Sequence, residues 1–118
     1  MIVVRDLIKQ YKNKFALYNV NLHIRPGEFV FLVGSSGAGK STLMKMLYLE
    51  ERPTRGSVLV GGINIGNLAP NKIPNLRRCM GIVFQDYKLL QNHTVYDNIA
   101  YVIRTMGVSS REIEARVY

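Results

Sequence analysis

The sequence predicts an α/β fold in which a buried parallel strand feeds a glycine-rich loop and then a helix. Three observations lead there. Phe29-Val30-Phe31-Leu32-Val33 is apolar on both faces, as expected of a parallel strand covered by helices on either side. It runs straight into the glycine-rich stretch that starts at Gly34. Lys40 to Glu50, rich in Leu, Met and Lys, has the composition of a helix.

The remaining elements follow in order. Ile2 to Tyr11 mixes Val and Ile with charged residues and suits a half-buried strand. Ala16 to Ile24 alternates, with Leu17, Asn19, Asn21 and His23 interleaved with Tyr18, Val20, Leu22 and Ile24, and predicts a second strand antiparallel to a neighbour. Arg25-Pro26-Gly27-Glu28 is a turn by composition. Pro53 and Gly56 end the helix after the loop, Ser57 to Val60 is a strand that turns at Gly61-Gly62, and Gly81 to Phe84 is expected to be another short buried strand. Asn67 to Asn75, with two prolines, is expected to be mostly loop. From Thr94 the period becomes helical: Val95, Ile99, Val102, Ile103 and Met106 share one face, Thr94 is placed to cap and Gly107 to stop the helix. Ser109 with Glu112 marks another helix start. That helix has made barely two turns at Tyr118, which leads us to expect a truncated domain.

Composition narrows the class. At 118 residues the chain holds one modest core, and its 47% hydrophobic residues suit a globular protein. The longest apolar run, Phe29 to Val33, is far short of the roughly 20 residues that span a bilayer. Met1 opens into Ile2-Val3-Val4-Arg5 with none of the marks of a signal peptide. Cys79 has no internal partner for a disulfide, which suits a reducing compartment. Lys and Arg total 16 against 8 Asp and Glu, a net charge of +8, but only Arg77 and Arg78 are adjacent. With no basic stripe interleaved with aromatics, nucleic acid is not an expected partner. Lys72, Arg77 and Arg78 are expected to form a solvated or interdomain face, and Met44, Met46, Met80 and Met106 to fill core. His23 and His93 offer no triad and no metal-ligand spacing.

Gly34-Ser35-Ser36-Gly37-Ala38-Gly39-Lys40-Ser41 matches G-x-x-x-x-G-K-[ST] at every fixed position, followed by Thr42. The residue types fit a phosphate cradle. Glycines let the backbone curl until successive N–H groups converge on phosphate oxygens. The helix that follows points its positive end at the same charges. Lys40 can reach the β- and γ-phosphates, and the Ser41 hydroxyl can ligate Mg²⁺.

This loop, together with Val83-Phe84-Gln85-Asp86 and an aromatic residue well upstream, resembles the ATP-binding-cassette ATPases. The resemblance implies a P-loop NTPase (RecA-like) core at 28–85, an antiparallel β subdomain at 1–27 and the start of a helical subdomain at 86–118. Its implied cofactors are ATP and Mg²⁺. Tyr11 would stack on adenine, with Phe15 and Tyr18 as competitors; Gln85 would contact Mg²⁺ and the attacking water and so join Lys40 in catalysis and Ser41 in holding the metal. Asp86 follows an apolar strand as a Walker B aspartate would, but it alternates away from Gln85 and is read as a hinge-surface residue. The signature stretch, the Walker B Asp-Glu and the switch histidine do not occur between Met1 and Tyr118. This part alone is therefore expected to bind nucleotide without turning it over. Glu28 to Gly34, Tyr48 to Gly56, Ile73 to Arg78 and Val83 to Leu90 resemble the family's cell-division branch. That branch implies a homodimer, on the cytoplasmic face of the cell membrane, coupled through the Gln85 hinge to an integral membrane partner and driving septal cell-wall hydrolysis. Subunits for lipoprotein release or amino-acid import, and a non-catalytic nucleotide-binding module, are the alternatives.

Overall fold

The computed structural model describes residues 1–117, in two units, Met1–Gly81 and Ile82–Tyr118. The first unit is built on a four-stranded antiparallel sheet of order β2-β1-β3-β4, from β1 (Ile2–Tyr11), β2 (Lys14–Ile24), β3 (Arg55–Val60) and the two-residue β4 (Ile63–Asn64). β1 and β3 are the inner strands, and β1 brings Val4 and Leu7 into the core. Val4 pairs with Leu22 on one side and with Val58 on the other. Val4 and Leu7, three apart, both reach the core because the ladder slips between them. Asp6 takes a left-handed φ of 47° at that slip, and its N–H donates to Asn21 Oδ1 at 3.0 Å, as befits a bulge.

α1 (Lys40–Leu47) lays Leu43 and Met46 on this sheet, where they join Val4, Leu7, Leu17, Leu49, Val58, Ile65 and Leu76 in one core. Leu76 comes from α2 (Ile73–Arg78), which follows short 3₁₀ turns at Ile65–Asn67 and Pro70–Lys72. The expectation of a loop over Asn67 to Asn75 is thus corrected. Pro74 stands in the first turn of α2, where its missing N–H has no intrahelical partner to lose.

Two expected strands are not strands. Phe29–Val33 and Gly81–Phe84 belong to no sheet among the described residues. Phe29, Phe31 and Val33 are 84%, 79% and 83% exposed instead of covered. Apolarity on both faces marks a segment that excludes water once neighbours flank it; it cannot supply them. The methionines divide in the same way: Met46 is buried and Met80 packs against the core, whereas Met44 and Met106 are exposed.

The second unit holds α3 (Val95–Thr105) and α4 (Ser110–Val117), which pack on each other and bury Ala100 and Ile113. Thr94 caps α3 as expected, and Asp97 completes a capping box: the Asp97 N–H donates to Thr94 Oγ1 at 3.1 Å and the Thr94 N–H to Asp97 Oδ2 at 3.3 Å. Asn98 ties the preceding loop to the helix, accepting from the Leu90 N–H at 2.7 Å and donating to the Leu90 carbonyl at 3.2 Å. Gly107 ends α3 with a φ of 80°. The apolar stripe of Val95, Ile99, Val102 and Met106 is exposed, and the buried residue of α3, Ala100, lies off it.

Candidate functional site

The glycine loop is positioned by a close approach to the sheet. Gly39 caps α1 in a left-handed conformation with φ 90°. A Cβ there would stand 2.4 Å from the Ala16 carbonyl oxygen and 2.7 Å from Leu17 Cδ2. Only glycine lets β2 press this close against the start of the helix. Earlier in the loop Gly37 has φ 77°, and the Ala38 N–H donates to the Ser35 carbonyl at 3.2 Å, closing a turn through Ser36 and Gly37.

What this turn presents is an electropositive helix start. Gly39 has no side chain to cap α1, and no acidic residue occupies the first turn. The first intrahelical bond at this end runs from the Leu43 N–H to the Gly39 carbonyl at 2.9 Å. The N–H groups of Lys40, Ser41 and Thr42 therefore precede any intrahelical acceptor and point out of the helix end. Ser35, Ser36 and Ser41 are exposed, and Thr42 is half-buried. The Lys40 ammonium folds back over the loop and donates to the carbonyls of Gly34 and Ser35, both at 2.6 Å. An ammonium has three protons, so one N–H direction is left for an anion in the loop.

Tyr11 ends β1 and is 42% exposed, beside Lys9 on the same strand face. The Lys9 ammonium lies 4.8 Å from the Tyr11 ring centroid and donates to Glu51 Oε2 at 2.7 Å and to the Arg52 carbonyl at 2.9 Å. The hydrogen bond from Lys9, working against partial burial, holds the Glu51 carboxyl below the usual carboxylate range, and the Tyr11 hydroxyl adds to the effect. The competitors Phe15 and Tyr18 pack edge to face on one another, 5.1 Å between centroids. Gln85 belongs to the second unit, exposed in a turn closed by the Tyr87 N–H donating to the Phe84 carbonyl at 3.2 Å. Asp86 beside it is exposed and pairs with Lys88 at 2.6 Å, whose hydrogen bond lowers its carboxyl pKa. Among the described residues no group of three or more His, Cys, Asp or Glu could hold a metal ion.

Several residues that build the site escaped sequence reasoning. Lys9 stands two before Tyr11 and so shares its face, a signal the alternation of β1 contains. Arg52 donates to the carbonyls of Gly66 at 2.6 Å and Leu68 at 2.7 Å. Arg77 is exposed, as a solvated face requires, yet its guanidinium also holds the carbonyls of Tyr48 and Leu49, at 2.9 and 3.0 Å, just past the end of α1.

The sequence profile described as ABC transporter matches residues 17–118. The chain belongs to the ABC transporter family. Among curated ABC relatives, the cell division ATP-binding protein FtsE of Streptococcus pneumoniae serotype 2 is 47% identical over 118 residues, covering 99% of this chain and 51% of that protein. FtsE of Bacillus subtilis is 43% identical over 118 residues, covering 99% of this chain and 52% of that protein. The chain thus spans about half the length of the curated relatives it matches. Among solved structures, the dimeric post-hydrolysis state of the ATP-binding cassette MJ0796, bound to ADP and Pi, matches with a TM-score of 0.89 and 32% identity, over 99% of this chain and 54% of that one. CbiO1 from Clostridium perfringens, part of the ABC transporter complex cbiONQ, matches with a TM-score of 0.83 and 30% identity, over 98% of this chain and 46% of that one. The antiparallel sheet, the glycine loop and α1 are therefore parts of an ABC-type nucleotide-binding domain homologous to FtsE. No helix of the described residues is long and apolar enough to cross a membrane.

Proposed function

We propose that this chain carries the ATP phosphate site of the ATP-binding subunit of a bacterial cell-division complex. The observation that carries the reading is the loop itself: an uncapped helix start, pressed against β2 at Gly39, with Lys40 drawn across the turn. Backbone N–H groups from Gly34 through Gly39 and on to Thr42 would hold the phosphate oxygens, and Lys40 would neutralise the β- and γ-phosphates as the reacting charge develops. Mg²⁺, held by Ser41 and Gln85, would supply the Lewis acidity of phosphoryl transfer. Mg²⁺ keeps most of its waters and takes few protein oxygens, so the Ser41 hydroxyl and the Gln85 amide oxygen would each suit it as a neutral ligand. Gln85 also orients the attacking water without adding charge, and Tyr11 stacks on adenine.

In the whole protein we read the assembly as a homodimer, peripheral on the inner face of the cell membrane. Its integral membrane partner is of the FtsX type, its work is activation of septal cell-wall hydrolysis, and nucleic acid is not involved. Identity of 43–47% to FtsE proteins over 99% of this chain supports this reading; lipoprotein release or amino-acid import is the alternative. The test is magnesium-dependent phosphate release by the full-length protein with its membrane partner. Release abolished by Lys40→Ala and strongly reduced by Gln85→Ala, with filamentous growth on depletion, is the expected result. Unchanged turnover in Lys40→Ala, or normal septation on depletion, would refute it.

A further inference from the structure

We infer that Lys9 and Glu51 are positioning residues that fix the ring of Tyr11 for the base and leave it a single open face. The inference rests on the proposed stacking of Tyr11 on adenine. A terminal tyrosine 42% exposed would ordinarily swing about its first side-chain torsion. Here it cannot do so freely, because the Lys9 ammonium sits over its ring, 4.8 Å from the centroid. Lys9 is itself held: its side chain is only 12% exposed, with one proton on Glu51 Oε2 and another on the Arg52 carbonyl. A cation attracted to one face of the ring occupies that face, so a planar base has only the opposite face to stack on.

The same contacts connect the ring to the phosphate loop. Glu51 and Arg52 follow α1, the helix whose first turn would receive the phosphates. The next residues are tied to β1 as well: the Thr54 N–H donates to the Ile8 carbonyl at 2.9 Å, and the Gln10 N–H donates to Thr54 Oγ1 at 3.1 Å. One continuous segment, loop, α1 and the Glu51–Thr54 stretch, thus starts at the phosphate subsite and ends pinned beside the base subsite. Lys9 and Glu51 hold the far end of that segment in register with Tyr11. Lys9 is on β1 and Glu51 lies past the end of α1, so neither belongs to the glycine loop or the first turn of α1, and their contribution belongs to recognition of the base.

The experiment compares Mg·ATP with Mg·tripolyphosphate, which has the charge but no base, on the full-length protein by equilibrium titration. Lys9→Met and Glu51→Gln should weaken Mg·ATP about three- to tenfold while leaving tripolyphosphate within about twofold, and Lys9→Arg should restore ATP affinity. Tyr11→Ala should weaken ATP about ten- to a hundredfold and spare tripolyphosphate. Equal loss of both ligands in Lys9→Met and Glu51→Gln would mean a merely structural role and overturn the inference. So would unchanged ATP affinity in both of those variants while Tyr11→Ala loses it, which leaves the stacking reading intact. Unchanged ATP affinity in Tyr11→Ala would instead remove the stacking reading and this inference with it.

Discussion

The alpha carbon of Gly39 faces the carbonyl oxygen of Ala16 so closely that a side-chain carbon would lie 2.4 Å from it. The glycine loop is therefore held in place from below, by the second strand of the sheet, as well as by its own turn. Gly39→Ala adds this clash to a φ of 90° and should cost about 2–4 kcal/mol. At Gly37 the φ is 77° but a Cβ meets nothing within 4 Å, so Gly37→Ala should cost only about 1–2 kcal/mol. Urea unfolding of the two full-length variants checks the ranking.

Arg77 is expected to matter for stability and Arg78 not. The Arg77 guanidinium satisfies two carbonyls past the end of α1, whereas Arg78 reaches only the exposed Asn75 side chain at 3.2 Å. Arg77→Ala should lower unfolding free energy by about 1–3 kcal/mol and Arg78→Ala by less than about 0.5 kcal/mol. Denaturant midpoints of the two variants make the comparison.

Thr94→Ala removes the cap of α3 and should cost about 1 kcal/mol, visible as faster amide exchange in the first turn. The box also makes α3 acid-sensitive. The Thr94 hydroxyl, then the Thr94 N–H, hold the Asp97 carboxyl below its ordinary 3.8. A carboxyl whose folded pKa is depressed stabilises the fold above its unfolded pKa, and that contribution fades as pH falls below about 4 toward the folded value. Amide protection at Thr94 to Asp97 should fall across that range in the wild type and show no such dependence in Asp97→Asn.

The parts of this molecule written as local pattern were legible, and the parts made by distant partners were not. The turn at Gly34 to Ser41 was legible because its glycines stand at fixed spacing, and the structure keeps Gly37 and Gly39 in left-handed conformations. The Ala16 to Ile24 alternation placed β2 because a strand with one buried face has period two. Phe29 to Val33 shows the opposite case: its apolarity is real, but a ladder needs a neighbour that pattern cannot name. α2 was hidden by Pro74 inside it and Pro70 just before it, since prolines also mark loops. Arg52 and Arg77 were invisible for a simpler reason: they bind backbone carbonyls 14 and 16, and 28 and 29 residues away, and any residue type supplies a carbonyl.

The loop contacts of Lys40 lie at the surface, so Lys40→Ala should change unfolding free energy by less than about 1.5 kcal/mol while removing the charge that faces the phosphates. That separation makes calorimetric titration of the full-length protein with Mg·ATP the most direct test. The account predicts one saturable site per chain in the wild type, and a loss of about tenfold or more in affinity for a folded Lys40→Ala variant. No binding heat in the folded wild type, or equal affinity in the two proteins, would contradict it.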